Sequence, residues 1–494
     1  MKVIINHNIK YFFLALFVTG ISSCKKSFLE INPKGKLIAE NLLDYQRLLY
    51  NAPIGADYAS GANMDGQVPV GDEIAAVEPY FQGVDFGFVS YDPVRMQRLF
   101  RWDDEVYQPE QDAYEMGMMK TIYLYNKVIN EVGALTDGAE QDRKTLIAQA
   151  KASRAWTYFL IINYYGKPYN ESTAATDPGF PIILAADVTQ TSFTRATVKE
   201  VYDFIIEDIT TSFADLPDRL TNRMIMSKPT AEALLGKVYI FMGKFNDALP
   251  LLNASLESLA SSDIPAVLYD YNITFGAGGE FMPVGLFGPT YPSAINNTEV
   301  VYNKQFVNYW NFTNSEFVIN PHTVSLFNSS DLRLNFYSNT PFMSFGTYPD
   351  GMLRRIGPTA TQFGVILPDL YLLRAECKAR LDDLIGGKDD VEALRVKRMP
   401  PADATVPNEV ATDKEALVKF ILEERTREFA VQGYRWFDMR RLSVDPIYSS
   451  TINTTHTLYN EDGSTTNFTL KPERYVFRFA QKLLKQNPGM ENNP

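Results

Sequence analysis

The chain has 494 residues, a formal net charge of −12, and an ordinary globular balance of 45% hydrophobic and 21% charged residues. A chain of this length can bury a sizeable core in one large domain or in two or three average ones. The acidic charge argues against a nucleic-acid partner and against adsorption to anionic lipid through a polybasic patch. Aromatic residues reach 13%, which indicates rings on a binding surface in addition to a large aromatic core.

Residues 1–23 have the pattern of an export signal. Lys2 and Lys10 precede an apolar run from Tyr11 to Ile21, which is too short to span a membrane as a mature helix. The run ends in Ile-Ser-Ser-Cys24, which resembles a bacterial lipobox. That resemblance implies cleavage before Cys24 and lipid attachment to it, and several acyl chains together anchor a protein stably. The alternative is an ordinary signal peptide with a chance cysteine.

The sequence lacks the common signatures of metal and nucleotide chemistry. Cys377 has no cysteine partner once Cys24 is lipidated, so no intramolecular disulfide is expected. Only His322 and His456 remain after export, and no His-x-x-x-His pair is present, which argues against a zinc site. No nucleophile elbow and no phosphate-binding loop of the Walker type is found. We therefore predict neither a metal site nor a cofactor.

Helical segments dominate the pattern, in chain order at about 41–51, 113–132, 142–165 and 197–213, the last with Thr194 or Thr197 as its N-cap. Ala231, Leu235 and Tyr239 then come at four-residue steps before Gly243, which is typical of a tetratricopeptide helix hairpin. A second hairpin is predicted from about 370 to 398, and a helix at 415–431 belongs to a further pair.

Two stretches between the helices are rich in Gly, Pro and aromatic residues. Residues 52–104 are predicted to be loop. Residues 261–364 are too many for one structureless loop, so we expect a subdomain of short strands and loops, with one strand over 299–306.

A buried helix that carries charge is predicted near the C-terminus, ending at Gly433. Glu424 and Glu428 lie one turn apart on its apolar face, and buried carboxylates are costly unless they are paired. They form either a catalytic pair or a structural network of ion pairs. The network is favoured because arginines crowd this passage. The available arginines are Arg425, Arg427, Arg435, Arg440 and Arg441.

This passage, from Glu424-Arg425 to Gly433-Tyr-Arg-Trp-Phe-Asp438, resembles the C-terminal signature of the SusD/RagB family of outer-membrane nutrient-binding lipoproteins of Bacteroidota. Arg154-Ala-Trp-x-Tyr-Phe, with Tyr165-Gly-x-Pro168 after it, resembles the family as well. The resemblance implies a mostly α fold, with a tetratricopeptide-like scaffold and a loop-rich insertion. It also implies one domain over 24–494, with the scaffold at about 38–260 and 365–445, the insertion at about 261–364 and a C-terminal segment at 446–494.

The resemblance implies a non-catalytic receptor. It would bind a glycan at the cell surface and deliver it to a SusC-like TonB-dependent porin, with its lipid anchor in the outer membrane. Lys25 and Lys26 stand where some surface-export signals have acidic residues, so the membrane face is left open. A peptide cargo and a secreted glycoside hydrolase are the alternatives.

Six aromatic residues on predicted loops are our candidates for ligand binding, because sugar rings stack on flat aromatic faces. No family motif selects them, and core packing is the competing role for each. The candidates are Trp102, Tyr80, Tyr91, Tyr271, Tyr309 and Trp310.

Overall fold

The computed structural model describes residues 39–50, 66–78, 80–82, 92–307, 316–358 and 360–494. The fold is mostly helical, as predicted, and its strands are short. The α-helices are α1 (Leu42–Leu49), α2 (Pro93–Phe100), α3 (Gly117–Glu131), α4 (Glu140–Tyr165), α5 (Val198–Thr210), α6 (Lys228–Phe241), α7 (Phe245–Ala260), α8 (Tyr271–Thr274), α9 (Pro321–Ser325), α10 (Leu367–Arg380), α11 (Leu384–Arg395), α12 (Asn408–Ala411), α13 (Lys414–Phe429), α14 (Tyr434–Ser443) and α15 (Gln481–Gln486). The strands are β1 (Ile74–Val77), β2 (Val300–Tyr302), β3 (Gln305–Val307), β4 (Phe317–Ile319), β5 (Tyr337–Ser338), β6 (Arg354–Arg355), β7 (Ala360–Gln362), β8 (Val365–Ile366), β9 (Thr455–Tyr459) and β10 (Thr465–Thr469).

Paired helices form the scaffold. In the hairpin of α6 and α7, a Cβ on Gly236 would lie 2.9 Å from the Leu252 side chain, so only glycine allows this approach. Gly243 turns the chain between the two helices at a φ of +72°, which suits glycine. In the hairpin of α10 and α11, Gly387 packs in the same way against Ala379. These contacts confirm the tetratricopeptide-like scaffold.

Local signals set several helix boundaries. α5 begins after Thr197, where the Thr197 Oγ1 accepts from the backbone N–H of Glu200 and the Glu200 carboxylate accepts from the N–H of Thr197. Thr197, one of the two predicted caps, is therefore the N-cap. α13 ends at Phe429, and Gly433 then has a φ of +80°, with no room for a side chain beside Gln67. This glycine ends the turn after α13 and starts α14.

One sheet gathers distant parts of the chain. Its strand order is β10-β9-β1-β4, with β1 antiparallel to β4 and parallel to β9. Both β1 and α2 lie within 52–104, so the prediction of loop throughout that stretch is wrong. β1 is too short to show an alternating pattern, and all four of its residues are buried.

The described part of 261–364 contains short strands, turns and loops, as expected, together with the short helices α8 and α9. The predicted strand over 299–306 is two strands, β2 and β3, each of three residues. β2 pairs with β8, β3 with β7, and β5 with β6. The division of the chain at residues 261 and 364 stays a prediction.

Candidate ligand-binding groove

An open groove of about 520 Å³ lies in this stretch. The loop 287–295 forms one wall, and the antiparallel ladder of β3 and β7 forms the other. The lining combines apolar and aromatic side chains with amides. Its main side chains are Met224, Phe287, Tyr291, Ile295, Asn303, Gln305 and Gln362.

A tight turn presents Phe287 at the mouth of the groove. Gly285 and Gly288 exchange two backbone hydrogen bonds of 3.0 Å each. Gly288 has a φ of +86°, and a Cβ there would lie 2.5 Å from the carbonyl oxygen of Ile356. The glycine thus lets the turn press against the neighbouring backbone. As a result, 62% of Phe287 remains exposed at the tip.

Two amide oxygens in the groove have no hydrogen-bond partner among the described residues. They are Oδ1 of Asn303 and Oε1 of Gln362, and both atoms are buried. The Gln362 amide donates to Oε1 of Gln305 at 3.1 Å, which fixes its orientation. Both oxygens are covered by protein, so the hydroxyl or amide donors of a ligand can bond to them only when the amides turn toward the groove.

A smaller cavity of about 60 Å³ lies beside the groove. Tyr291, Pro358, Ala360 and Gln362 line both spaces, so they form the boundary between them. The inner cavity is strongly polar. Its charged lining residues are Glu299, Arg333, Arg355, Arg427 and Glu428.

A network of buried ion pairs encloses this cavity. Arg398 contacts Glu299 and Glu428 at 2.8 Å each. Arg333 contacts Glu428 at 2.9 Å and Glu424 at 2.8 Å. Burial alone would raise the pKa of Glu428, but the charges of Arg398 and Arg333 outweigh it and hold the pKa below its usual value. The carboxylate is therefore ionised and fully occupied.

The network supports the structural interpretation of the two glutamates. Glu424 pairs with Arg333, Arg395 and Arg427, and their charges overcome its burial to hold its pKa far below the usual range. A carboxylate in this state is a poor general acid or base at neutral pH.

The arginines that pair with these glutamates are mostly not those near them in sequence. Of the five arginines proposed as partners, only Arg427 pairs with either glutamate. Arg425 and Arg441 pair instead with Asp438, and Arg435 pairs with Asp72. The expectation fails because Arg435 and Arg441 lie on α14, beyond the turn at Gly433, and Arg425 on α13 reaches Asp438 of α14 instead. Arg333, Arg395 and Arg398 come from other segments.

A second open cleft of about 430 Å³ lies beside α13 and includes Asp72, Glu73 and Arg435. Asp72 accepts from Arg435 at 2.5 and 2.9 Å and from the backbone N–H of Asn453 at 2.8 Å. Burial, reinforced by the charge of Asp72, raises the pKa of Glu73 to about 8. Arg435 is already paired with Asp72, and none of the described residues that line the cleft is Phe, Tyr or Trp. We therefore place the candidate site in the first groove.

The structure does not bring the six predicted aromatic residues together. Trp102 and Tyr271 are both only 5% exposed, and neither lines the groove, although Tyr271 lines the inner cavity. Tyr80 is half-buried, with its ring edge-on to Tyr348 at 5.8 Å. Because their rings are buried, Trp102 and Tyr271 cannot stack on a sugar at the surface, and their selection as exposed ligand-binding residues is wrong. The remaining predicted residues, Tyr91, Tyr309, Trp310 and the lipidation site Cys24, lie outside the described residues.

Sequence reasoning did not select the aromatic residues that do line the groove, Phe287 and Tyr291. The available signal was the spacing Gly285-Leu-Phe-Gly288, because two glycines around two apolar residues indicate a tight turn with its side chains outside. The same loop system exposes Phe345 fully, and Phe342 contacts Phe287 with ring centroids 5.9 Å apart.

In the described part of the chain, no three His, Cys, Asp or Glu side chains are grouped to hold a metal ion. No helix among those residues has the length and hydropathy needed to cross a bilayer.

Two protein-family models match successive parts of the chain. Residues 79–240 match a SusD-like family described as starch-binding and associating with the outer membrane. Residues 367–494 match the SusD family. SusD-like protein P2 from Formosa agariphila is 22% identical over 367 residues, which cover 65% of this chain and 69% of that protein.

Solved structures share the fold. A SusD superfamily protein from Bacteroides thetaiotaomicron matches with a TM-score of 0.65 and 15% identity over 92% of this chain and 100% of that one. A SusD-like carbohydrate binding protein from Bacteroides vulgatus matches with a TM-score of 0.63 and 16% identity, covering 92% and 98% of the two chains. These likenesses show the fold, and the two family matches show that the chain belongs to the SusD/RagB family of non-catalytic binding proteins.

Proposed function

We propose that this protein is a non-catalytic receptor that binds an oligosaccharide or polysaccharide at the outer membrane. The groove carries the proposal, because it places the rings of Phe287 and Tyr291 beside the amides of Asn303, Gln305 and Gln362. A sugar ring has a flat C–H face that packs on an aromatic ring, and its hydroxyls exchange hydrogen bonds with amides.

The two unpartnered amide oxygens strengthen the case for a ligand rich in hydroxyl groups. A buried acceptor without a donor costs about 1–3 kcal/mol. If these amides turn toward the groove, sugar hydroxyls that donate to Oδ1 of Asn303 and Oε1 of Gln362 would recover this cost on binding. An apolar ligand would leave the cost in place.

The lining of the groove argues against hydrolysis. Glycosidases need two carboxyl groups about 5–10 Å apart across the sugar-binding cleft. None of the described residues that line the groove is Asp, Glu, His or Cys. The nearby carboxylates of Glu299 and Glu428 are occupied by Arg398.

The second part of the proposal concerns anchoring and delivery. The lipobox resemblance supports anchoring through Cys24, and the family supports a SusC-like TonB-dependent porin as the partner that receives the glycan. Purification of the full-length chain from native outer membranes in mild detergent tests both. We expect the porin to co-purify, and Cys24→Ala to abolish incorporation of labelled fatty acid. Absence of the porin would remove the delivery step and leave glycan binding to be judged separately.

Affinity electrophoresis of soluble protein that begins after Cys24 tests glycan binding, with a panel of polysaccharides in the gels and reducing ends assayed in parallel. We expect retardation by at least one polysaccharide without new reducing ends. New reducing ends would overturn the non-catalytic assignment. Retardation by none would contradict glycan binding and favour a peptide cargo.

A further inference from the structure

We infer that the groove takes a glycan with an anionic substituent, a carboxylate or a sulfate ester, which enters the inner cavity and pairs with Arg355. The inference rests on the proposed function and narrows its substrate class. It starts from an arginine that is buried without a carboxylate partner.

Arg355 is 6% exposed and lies on β6. None of the ion pairs formed by the described residues includes it, and its buried Nε has no hydrogen-bond partner there. Its guanidinium donates to the Tyr337 hydroxyl at 3.2 Å and lies 5.5 Å from the ring centres of both Phe336 and Tyr337. These contacts hold the group in place without neutralising its charge.

The charges around the cavity leave Arg355 as an excess cation. The ion-pair network consists of four arginines and four carboxylates, so it is balanced within itself. Its members are Arg333, Arg395, Arg398, Arg427, Glu299, Asp331, Glu424 and Glu428. Burying a charge without a counter-ion is costly. A ligand anion would supply that counter-ion, and guanidinium binds carboxylate and sulfate groups through paired hydrogen bonds.

The cavity adjoins the groove and is large enough for a small anion. Gln362 and Tyr291 line both spaces, so the proposed substituent would enter between these two side chains. The cavity volume of about 60 Å³ accommodates roughly four water-sized groups. That space suits one carboxylate or sulfate group.

Its position beside the groove distinguishes Arg355 from two other buried arginines. Arg440 and Arg223 are also buried with unpartnered nitrogen atoms, but neither lines the groove or the inner cavity. The chain as a whole carries a net charge of −12, which repels polyanions at long range. Binding of an anionic glycan therefore depends on a local positive site.

The test compares wild type with Arg355→Met and Arg355→Lys in affinity gels that contain matched polymers. Polygalacturonate and its methyl ester differ in the carboxylate, and dextran sulfate and dextran differ in the sulfate. Arg354→Met is the control. It removes the same charge from the neighbouring position on β6, and Arg354 does not line the cavity. We expect one anionic polymer to retard the wild type more than its neutral counterpart does. We also expect at least about tenfold weaker binding in Arg355→Met, with partial recovery in Arg355→Lys.

Thermal unfolding supplies a second measurement. Without ligand, Arg355→Met should be as stable as the wild type or more stable, because it removes an unpaired buried charge. The anionic polymer should raise the Tm of the wild type but not that of Arg355→Met.

Retardation by neither anionic polymer, or equal binding by wild type and Arg355→Met, would overturn the inference. If a neutral glycan retarded wild type and Arg355→Met equally, the anionic inference would fail, but the proposed function as a glycan receptor would not. A failure of the whole polysaccharide panel would contradict both.

Discussion

The rings of Trp102 and His456 stack face to face with their centroids 3.7 Å apart. His456 also stacks on Phe100 at 4.6 Å, so it lies between two aromatic rings in the core. The indole N–H of Trp102 donates to the carbonyl of Val70 at 3.2 Å. This arrangement gives Trp102 a structural role that its position beside a predicted loop did not reveal.

Trp102→Ala should therefore affect stability and leave affinity unchanged. Loss of a buried tryptophan costs about 3–5 kcal/mol through lost burial and the cavity that remains. Chemical denaturation would measure this cost, and affinity gels at low temperature would show wild-type binding by the folded fraction. A variant of wild-type stability with lost binding would contradict the core assignment.

Phe287→Ala should show the opposite behaviour. Its ring is largely exposed, so the free energy of unfolding should change by less than about 0.5 kcal/mol. Loss of one stacking contact of about 0.5–1.5 kcal/mol should weaken glycan binding about two- to twelvefold. Phe345→Ala is the matched control, since Phe345 is exposed but does not line the groove. Equal losses in both variants would contradict the placement of the site.

Glu428→Gln should destabilise the protein by about 3–5 kcal/mol, because it leaves Arg398 and Arg333 without one of their buried counter-charges. Glu409→Gln, an exposed change of the same chemistry on α12, should stay within about 0.5 kcal/mol of the wild type. Denaturant titration distinguishes the two. An unchanged stability for Glu428→Gln would show that the network contributes little.

Glu73 should make stability depend on pH. Its pKa in the folded protein, about 8, lies above the usual value of 4.5, so the folded state keeps a proton that the unfolded state releases. The stability contributed by this proton is full below pH 4.5 and is lost as the pH rises to 8. The slope is at most about 1.4 kcal/mol per pH unit.

Glu73→Gln should remove this decline, so its Tm should exceed that of the wild type most clearly near pH 9. Melting curves from pH 5 to pH 9 would measure the difference. Glu409→Gln serves again as the control and should follow the wild-type profile. Parallel curves for all three proteins would show that Glu73 does not titrate in this range.

The helical scaffold could be predicted because its signals are local. Helical spacing, the small residues of the hairpins and the capping pair of Thr197 and Glu200 all lie within a few positions of one another. The buried charges of Glu424 and Glu428 were also visible, since carboxylates on an apolar face require partners.

The partners themselves could not be predicted, because they join distant positions. Arg398 reaches Glu299 across 99 positions, and Arg333 reaches Glu428 across 95. No periodic pattern marks such pairs. The groove was not predicted for a related reason, since the turn at Phe287 packs against Ile356, which is 68 positions away from Gly288. The opposite error was made for Trp102. It was selected as an exposed loop residue because glycines and prolines lie near it in the sequence, but it is buried in the core.

The four-stranded sheet has a consequence for how the chain reaches its native state. β1 pairs with β9, and Asp72 accepts from the backbone of Asn453 across 381 positions. The N-terminal part therefore cannot complete its structure until residues near the end of the chain have been made. A chain that is truncated before residue 453 would expose the edge of β1. Such an unpaired strand edge is a site for aggregation or proteolysis. The late strand pairing thus makes the stability of the N-terminal part depend on synthesis at least through β9.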